Sequence, residues 1–81
     1  MRKGVVILRD EAATLELRGQ VRERLEAERF LCESRQRFDG VMIVAFERAA
    51  DQPEVTVEEL EKLLRSNPLL AAAPIVIKAQ D

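Results

Sequence analysis

Few residues of this chain are of a type that could support chemistry, and most of those are acidic or basic. The 81 residues include no histidine and one cysteine, Cys32, so the commonest general base is missing and no disulfide can form within the chain. The three glycines lie far apart, which does not produce a phosphate-binding loop. No hydroxyl group has an evident base near it in the sequence. These residue types predict a protein that is not an enzyme and that carries no metal or cofactor.

The adjacent acids Asp10 and Glu11 follow an apolar run and allow two interpretations. As a pair of carboxylates they could form a residual cation site, because Mg²⁺ prefers oxygen ligands. As the start of a helix, Asp10 would cap the free N–H groups and Glu11 would suit the positive end of the helix dipole. We favour the helix start, because Arg9 places a cation directly beside the pair.

Charge and hydropathy restrict the partners of the chain. Thirteen basic residues against fifteen acidic ones give a net charge of −2 and an isoelectric point near 5.2, which argues against nucleic acid. The arginines alternate with glutamates at helical spacing, as in Arg22 and Glu26, which is typical of a solvated helix face. The apolar segment after Lys3 is about half the length of a signal-peptide core. We therefore predict a soluble, cytoplasmic protein that binds neither nucleic acid nor membrane.

Hydrophobic patterns and capping signals predict one small α/β domain over 1–81, with two main helices. Leu17, Val21 and Leu25 form an apolar helix stripe, and Thr56 with Glu59 forms a capping box. The predicted elements, in chain order, are a strand over 5–8, a helix over 12–29, a short strand over 30–33, a strand over 41–46, a helix from 56 to 66 or 67, and a strand over 75–77.

Two arrangements of these elements fit the sequence. In the first, the first, third and fourth strands lie parallel with helices on both faces, since fully apolar strands are typical of that arrangement. In the second, the ferredoxin-like order βαββαβ, the second and third strands form an antiparallel hairpin and both helices lie on one face. The gap of seven residues between Glu33 and Val41 favours the hairpin. The unbroken apolar run over 41–46 argues against this arrangement, because a strand with one open face should alternate apolar and polar residues, and the objection weakens if a second copy covers that face.

Three segments follow one another along the chain: VVILRDEAATLELRGQVRERLEAERF, FDGVMIVAF and LLRSNPLLAAAPIVIKA. They resemble, in this order, the first strand and helix, the third strand, and the end of a central helix with its connector and the fourth strand in the receiver domain of response regulators. Together they cover about two thirds of the chain. The resemblance implies a truncated, flavodoxin-like sheet, because the fifth strand and helix of a receiver have no counterpart.

The chemistry of a receiver does not survive in the matching positions. The acidic pair that holds magnesium falls on Arg9 and Asp10, with Glu11 next to them, and the phosphoryl acceptor falls on Val44, which has no nucleophilic oxygen. The hydroxyl position falls on Ala79. The resemblance therefore implies a degenerate pocket and a pseudo-receiver that cannot be phosphorylated.

Two functions follow as hypotheses. The first is a non-enzymatic regulatory module that binds a protein partner or forms a homo-oligomer, because a fourth strand without a neighbour would present an open edge. Its candidate interface consists of Leu69, Leu70, Ile75 and Ile77. The second is a small-molecule-sensing regulatory domain of the ferredoxin-like type, which the chain length and the possible hairpin fit.

Overall fold

The computed structural model describes residues 1–9, 14–36 and 41–80, which form an α/β structure of four strands and two helices. The elements are β1 (Lys3–Leu8), α1 (Thr14–Ala27), β2 (Phe30–Gln36), β3 (Met42–Arg48), α2 (Val57–Arg65) and β4 (Ile75–Ala79). All six predicted elements are present, and their bounds differ from the predicted ones by a few residues. Asp10, Glu11 and the predicted start of the first helix lie outside the described residues.

The strands form one sheet in the order β2-β3-β1-β4, and every neighbouring pair is antiparallel. This is the second of the two arrangements that the sequence allows. The parallel, receiver-like sheet is not the one the chain adopts, because β1 pairs antiparallel with both β3 and β4. The physical reason is the short connection between β2 and β3, which is long enough for a hairpin and too short for a parallel crossover.

One face of the sheet packs against both helices and forms the core. The helices contribute Leu17, Val21 and Leu25 from α1, and Leu60 and Leu64 from α2, all of which are buried. The sheet contributes alternate residues, because successive side chains of a strand point to opposite faces. These sheet residues are Val6, Leu8, Phe30, Met42, Val44, Phe46 and Ile75.

Helix α2 begins as the sequence predicts. Thr56 accepts a hydrogen bond from the Glu59 backbone N–H at 3.1 Å, and the Glu59 carboxylate accepts one from the Thr56 backbone N–H at 3.4 Å. The helix ends at Arg65, with Ser66 as its C-cap. This capping box satisfies two of the N–H groups that a helix start leaves without partners.

The chain between α2 and β4 is held by polar contacts as well as by its apolar residues. The Arg65 guanidinium donates to the carbonyl oxygens of Leu70 at 2.8 Å and of Ala73 at 2.6 Å. Asn67 donates from its side chain to Gln20 of α1 at 3.0 Å. These bonds fix the turn that places Leu70 in the core and delivers the chain to β4.

Candidate interaction surface

The described residues of the degenerate receiver pocket, Arg9, Val44 and Ala79, do not come together, and Asp10 and Glu11 lie outside the described residues. Val44 is fully buried in the middle of β3 and faces the helices, so it is a core residue. Arg9 follows the carboxyl end of β1, whereas Ala79 pairs with Gly4 near the opposite end of that strand. Five residues of extended chain separate Gly4 from Arg9, about 16 Å at 3.3 Å per residue. Since β4 runs antiparallel to β1, the pocket that the resemblance implies has no common edge on which to form.

The four residues of the predicted interface occupy different environments. Strand β4 is an edge strand, as predicted, with β1 as its neighbour. Leu70 and Ile75 are buried in the core, and Ile77 is partly buried against it, so these side chains face inward. Leu69 is 54% exposed. The side chains predicted for the interface therefore mainly hold the helix layer onto the sheet.

A different surface stands out, namely the sheet face opposite the helices, which we call the open face. Three rows of side chains cross it in the strand order β2, β3, β1, β4, as the strand register shows. The rows are Leu31–Glu47–Lys3–Gln80, Glu33–Ala45–Val5–Lys78 and Arg35–Ile43–Ile7–Val76.

The middle of the open face is apolar. Val5 and Ile7 of β1 are each 7% exposed, although neither belongs to the core cluster beneath the helices. On the edge strands, Val76 of β4 is 39% exposed and Leu31 of β2 is 71% exposed, which is high for large apolar side chains. A sheet face that stays in water normally carries polar residues at such positions. This pattern is typical of a face that another surface covers.

Apart from Arg35 on β2, the charged residues of the open face are separated by sign. The acidic ones, Glu33 and Glu47, lie on β2 and β3, whereas Lys3 and Lys78 lie on β1 and β4. Glu33 pairs with Arg35 on the same strand at 3.0 Å, and both side chains are well exposed. Among the described residues, no ion pair within the chain engages the other three charges.

The concave features of the surface are shallow. A groove of about 320 Å³ lies over the small side chain of Ala45, between Leu31, Glu33 and Glu47. Its wall carries charges and backbone rather than the enclosed apolar lining that small ligands prefer. Within the described ranges, no three Cys, Asp or Glu residues are grouped so as to hold a metal ion.

Cys32 lies on β2 and is half-buried against the helix layer. The pKa of its thiol is raised from 9.0 to about 11, mainly by burial and also by the nearby Glu26 carboxylate, while the Arg22 guanidinium opposes this shift. The thiol is therefore protonated and unreactive at neutral pH. This agrees with the structural role that a lone cysteine in a mixed stretch usually has.

The sequence predicts a bare sheet face that a second copy could cover, but it does not identify the residues of the open face. The run over 41–46 is apolar at every position, so a β3 with one face on the core must also present Ile43 and Ala45 to the other side. The predicted strand of four residues over 30–33 was too short to show that Leu31, Glu33 and Arg35 share a face.

Comparison of the chain with protein-family models, with curated proteins and with solved structures gave no match. Neither of the two described helices has the length and apolar character needed to cross a bilayer.

Proposed function

We propose that the chain is a non-enzymatic protein–protein interaction module and that its binding surface is the open face. The observation that carries this proposal is the apolar middle of a sheet face that neither helix covers. Burial of apolar surface is the main driving force of protein association, and charged residues around an apolar centre supply specificity. The proposal does not depend on the receiver resemblance, which rests on the sequence alone.

The proposed role is regulatory rather than catalytic. Val44, the position of a receiver's phosphoryl acceptor, is enclosed by the core and has no oxygen to donate. The only described thiol has a raised pKa, which makes it a poor nucleophile. Binding to a partner is the activity that these side chains support.

Ala45→Glu tests the proposal, because it places a carboxylate in the middle of the open face without touching the core. We expect this variant to lose the protein partners that the tagged wild-type chain captures from its native lysate. Glu23→Lys on the exposed side of α1 is the matched control, and it should capture as the wild type does. Equal capture by the wild type and by Ala45→Glu would remove the open face from the proposal.

A second candidate function is a small-molecule-sensing regulatory domain of the ferredoxin-like type. It is favoured by one observation: the element order βαββαβ and the strand order β2-β3-β1-β4 match the arrangement that this hypothesis requires. A thermal-shift screen with amino acids and nucleotides tests it, since a ligand that binds the native state raises the melting temperature in a saturable way. No shift with any compound would reject it for these ligand classes.

A further inference from the structure

We propose that the open face binds a second copy of the chain, with the two sheets face to face about a two-fold axis parallel to the strands. This inference rests on the proposed function, because it names the partner of the same surface. Its evidence is the distribution of charge and of side-chain size across the three rows of the open face.

A two-fold axis along the strands determines which residues meet. Rotation about such an axis keeps each row in place and exchanges its two ends. A β2 residue therefore lies opposite the β4 residue of the same row in the second copy, and a β3 residue lies opposite the β1 residue. The register within one chain thus predicts the contacts between two chains.

This exchange brings opposite charges together. Glu33 lies opposite the partner's Lys78, because both belong to the middle row. Glu47 lies opposite the partner's Lys3, because these two residues occupy the central strands in the row Leu31–Glu47–Lys3–Gln80. Since the interface is symmetric, each pair occurs twice, so two kinds of contact neutralise eight charges.

The alternative two-fold axis, directed across the strands, is disfavoured by the same residues. It would keep each strand in place and reverse the order of the rows. Glu33 would then face the partner's Glu33, and Lys78 would face the partner's Lys78. Like charges brought together in this way cost several kcal/mol. The charge pattern therefore selects the axis that is parallel to the strands.

The apolar residues are complementary about the selected axis as well. Val5 lies opposite the partner's Ala45, where the groove of about 320 Å³ leaves room for a larger side chain. Ile7 lies opposite the partner's Ile43 in the adjacent row. Packed sheets are usually rotated by about 30° relative to each other, which displaces edge residues by about 4 Å. The long side chains of lysine and glutamate can span that displacement.

The size of the face sets the expected affinity. Four strands about 4.8 Å apart and five to seven residues long give a surface of roughly 20 by 20 Å. Two such surfaces bury roughly 800 Å² in total, which is below the range of stable specific interfaces and corresponds to a weak one. We therefore expect a dimer that dissociates on dilution in the micromolar range.

Charge reversal with the purified full chain tests the inference. Sedimentation velocity over a concentration series at low salt should show a reversible monomer–dimer equilibrium for the wild type. Glu33→Lys and Lys78→Glu should each weaken self-association about tenfold or more, because each brings like charges together twice. Glu23→Lys and Lys62→Glu carry the same charge changes on the helix layer and should dimerise as the wild type does.

The equimolar mixture of the two reversed variants is the decisive sample. One chain then carries lysine at both 33 and 78, and the other carries glutamate at both, so every cross-chain pair is attractive. The heterodimer should therefore form at wild-type concentrations or lower, at which each variant alone remains largely monomeric. Arg35→Ala, which removes only the pair within the chain, should leave the dimer intact.

Each remaining outcome overturns the inference. A wild type that stays monomeric at every concentration excludes the second copy as the partner. Dimers that persist in both reversed variants, or a mixture that fails to form the heterodimer, exclude this face or this axis. If a monomeric wild type still captures a different protein that Ala45→Glu does not capture, the second copy is rejected and the interaction module stands. If Ala45→Glu also captures what that monomeric wild type captures, the second copy is rejected and the open face is not the binding surface of the module.

Discussion

The substitution Val44→Asp distinguishes two interpretations of Val44. In one this residue belongs to the hydrophobic core, and in the other it belongs to a surface pocket. The receiver resemblance places Val44 where a phosphoryl acceptor would lie, at the exposed end of a strand, and there an aspartate would be tolerated. The structure places its side chain in the core between β1 and the helices, with no exposed surface. The two interpretations therefore predict opposite effects of one substitution on the free energy of unfolding.

The magnitude follows from burial. Loss of a fully buried valine side chain costs about 1.5–3 kcal/mol, and burial of a carboxyl without a hydrogen-bond partner adds about 1–3 kcal/mol. A chain of 81 residues has a total stability of roughly 4–12 kcal/mol. Val44→Asp should therefore remove about 4 kcal/mol and leave much of the protein unfolded. Val44→Ala, which only removes two methyl groups, should cost about 2 kcal/mol.

Urea unfolding followed by circular dichroism measures these differences. At about 1 kcal/mol per molar urea, Val44→Asp should lower the midpoint by about 4 M or abolish the transition. Burial raises the pKa of the introduced carboxyl in the folded state. The decrease in the free energy of unfolding should therefore become smaller as the pH falls toward the pKa that this carboxyl has in the unfolded state. Val76→Asp, at a 39% exposed position of β4, is the control and should cost far less when measured on dilute protein. Equal stability of Val44→Asp and the wild type would refute the core assignment.

Four further predictions concern the capping box, a close approach of strands and, twice, the thiol. Thr56→Ala should lower the free energy of unfolding by about 1 kcal/mol, because α2 loses the side-chain acceptor at its start; an unchanged urea midpoint would contradict this. Gly4→Ala should lower the free energy of unfolding by about 1–3 kcal/mol. A methyl group at this position would meet the Lys78 carbonyl oxygen and the Phe46 ring, which is 2.9 Å from the position of the added carbon. Gly19→Ala, in open space on α1, is the control and should be neutral or stabilising. Cys32 should react with iodoacetamide about tenfold more slowly in the folded chain than in urea. The pKa raised from 9.0 to about 11 lowers the fraction of thiolate about a hundredfold. A thiolate of higher pKa is also a stronger nucleophile, which offsets about a tenfold part of that decrease in rate. The same shift means that the stability contributed by the protonated thiol is present below pH 9.0 and is lost as the pH rises toward 11, which alkaline urea titrations of the wild type and of Cys32→Ala should reveal as a difference in slope.

Much of the secondary structure could be predicted because local chemistry determines it. The capping box of Thr56 and Glu59 marks the start of α2, and the stripe of Leu17, Val21 and Leu25 identifies the buried face of α1. Of the two helix pairs with the same spacing that the sequence predicts, Arg22 and Glu26 form an ion pair at 3.2 Å, whereas Arg24 and Glu28 form none in the described part of the chain. These signals lie within one or two helical turns, so no knowledge of the remaining fold is needed to interpret them.

The ends of the elements were harder to predict because distant residues decide them. Helix α1 ends at Ala27 rather than at the predicted Arg29, which has a φ of 67° and leaves the helix. Strand β2 continues through Ser34 to Gln36, although these residues are polar. They extend as a strand because β3 supplies hydrogen-bond partners on one side and water solvates the outer edge, which the local sequence does not encode.

The sheet topology and the site depended on one ambiguous observation. An apolar run such as that over 41–46 is consistent with a parallel strand covered by helices on both faces, or with an antiparallel strand whose second face meets a partner. Only the pairing of β1 with β3 and β4 distinguishes these cases, and that pairing is non-local. The open face follows directly once the register is known, since the register determines which charges share a row.

The pairing of β1 with β4 also determines how the chain responds to mechanical force. The Gln80 backbone N–H donates to the Lys3 carbonyl at 3.0 Å, so the start of β1 and the end of β4 lie side by side. Because these strands are antiparallel, residues 3 and 80 lie at the same end of the ladder. Tension applied at these residues pulls perpendicular to the strands, along the direction of their hydrogen bonds. The bonds then break one after another, as in a zipper, instead of bearing the load together as they do in shear. In an optical trap, β4 should therefore detach from β1 at low force, before α2 leaves the sheet.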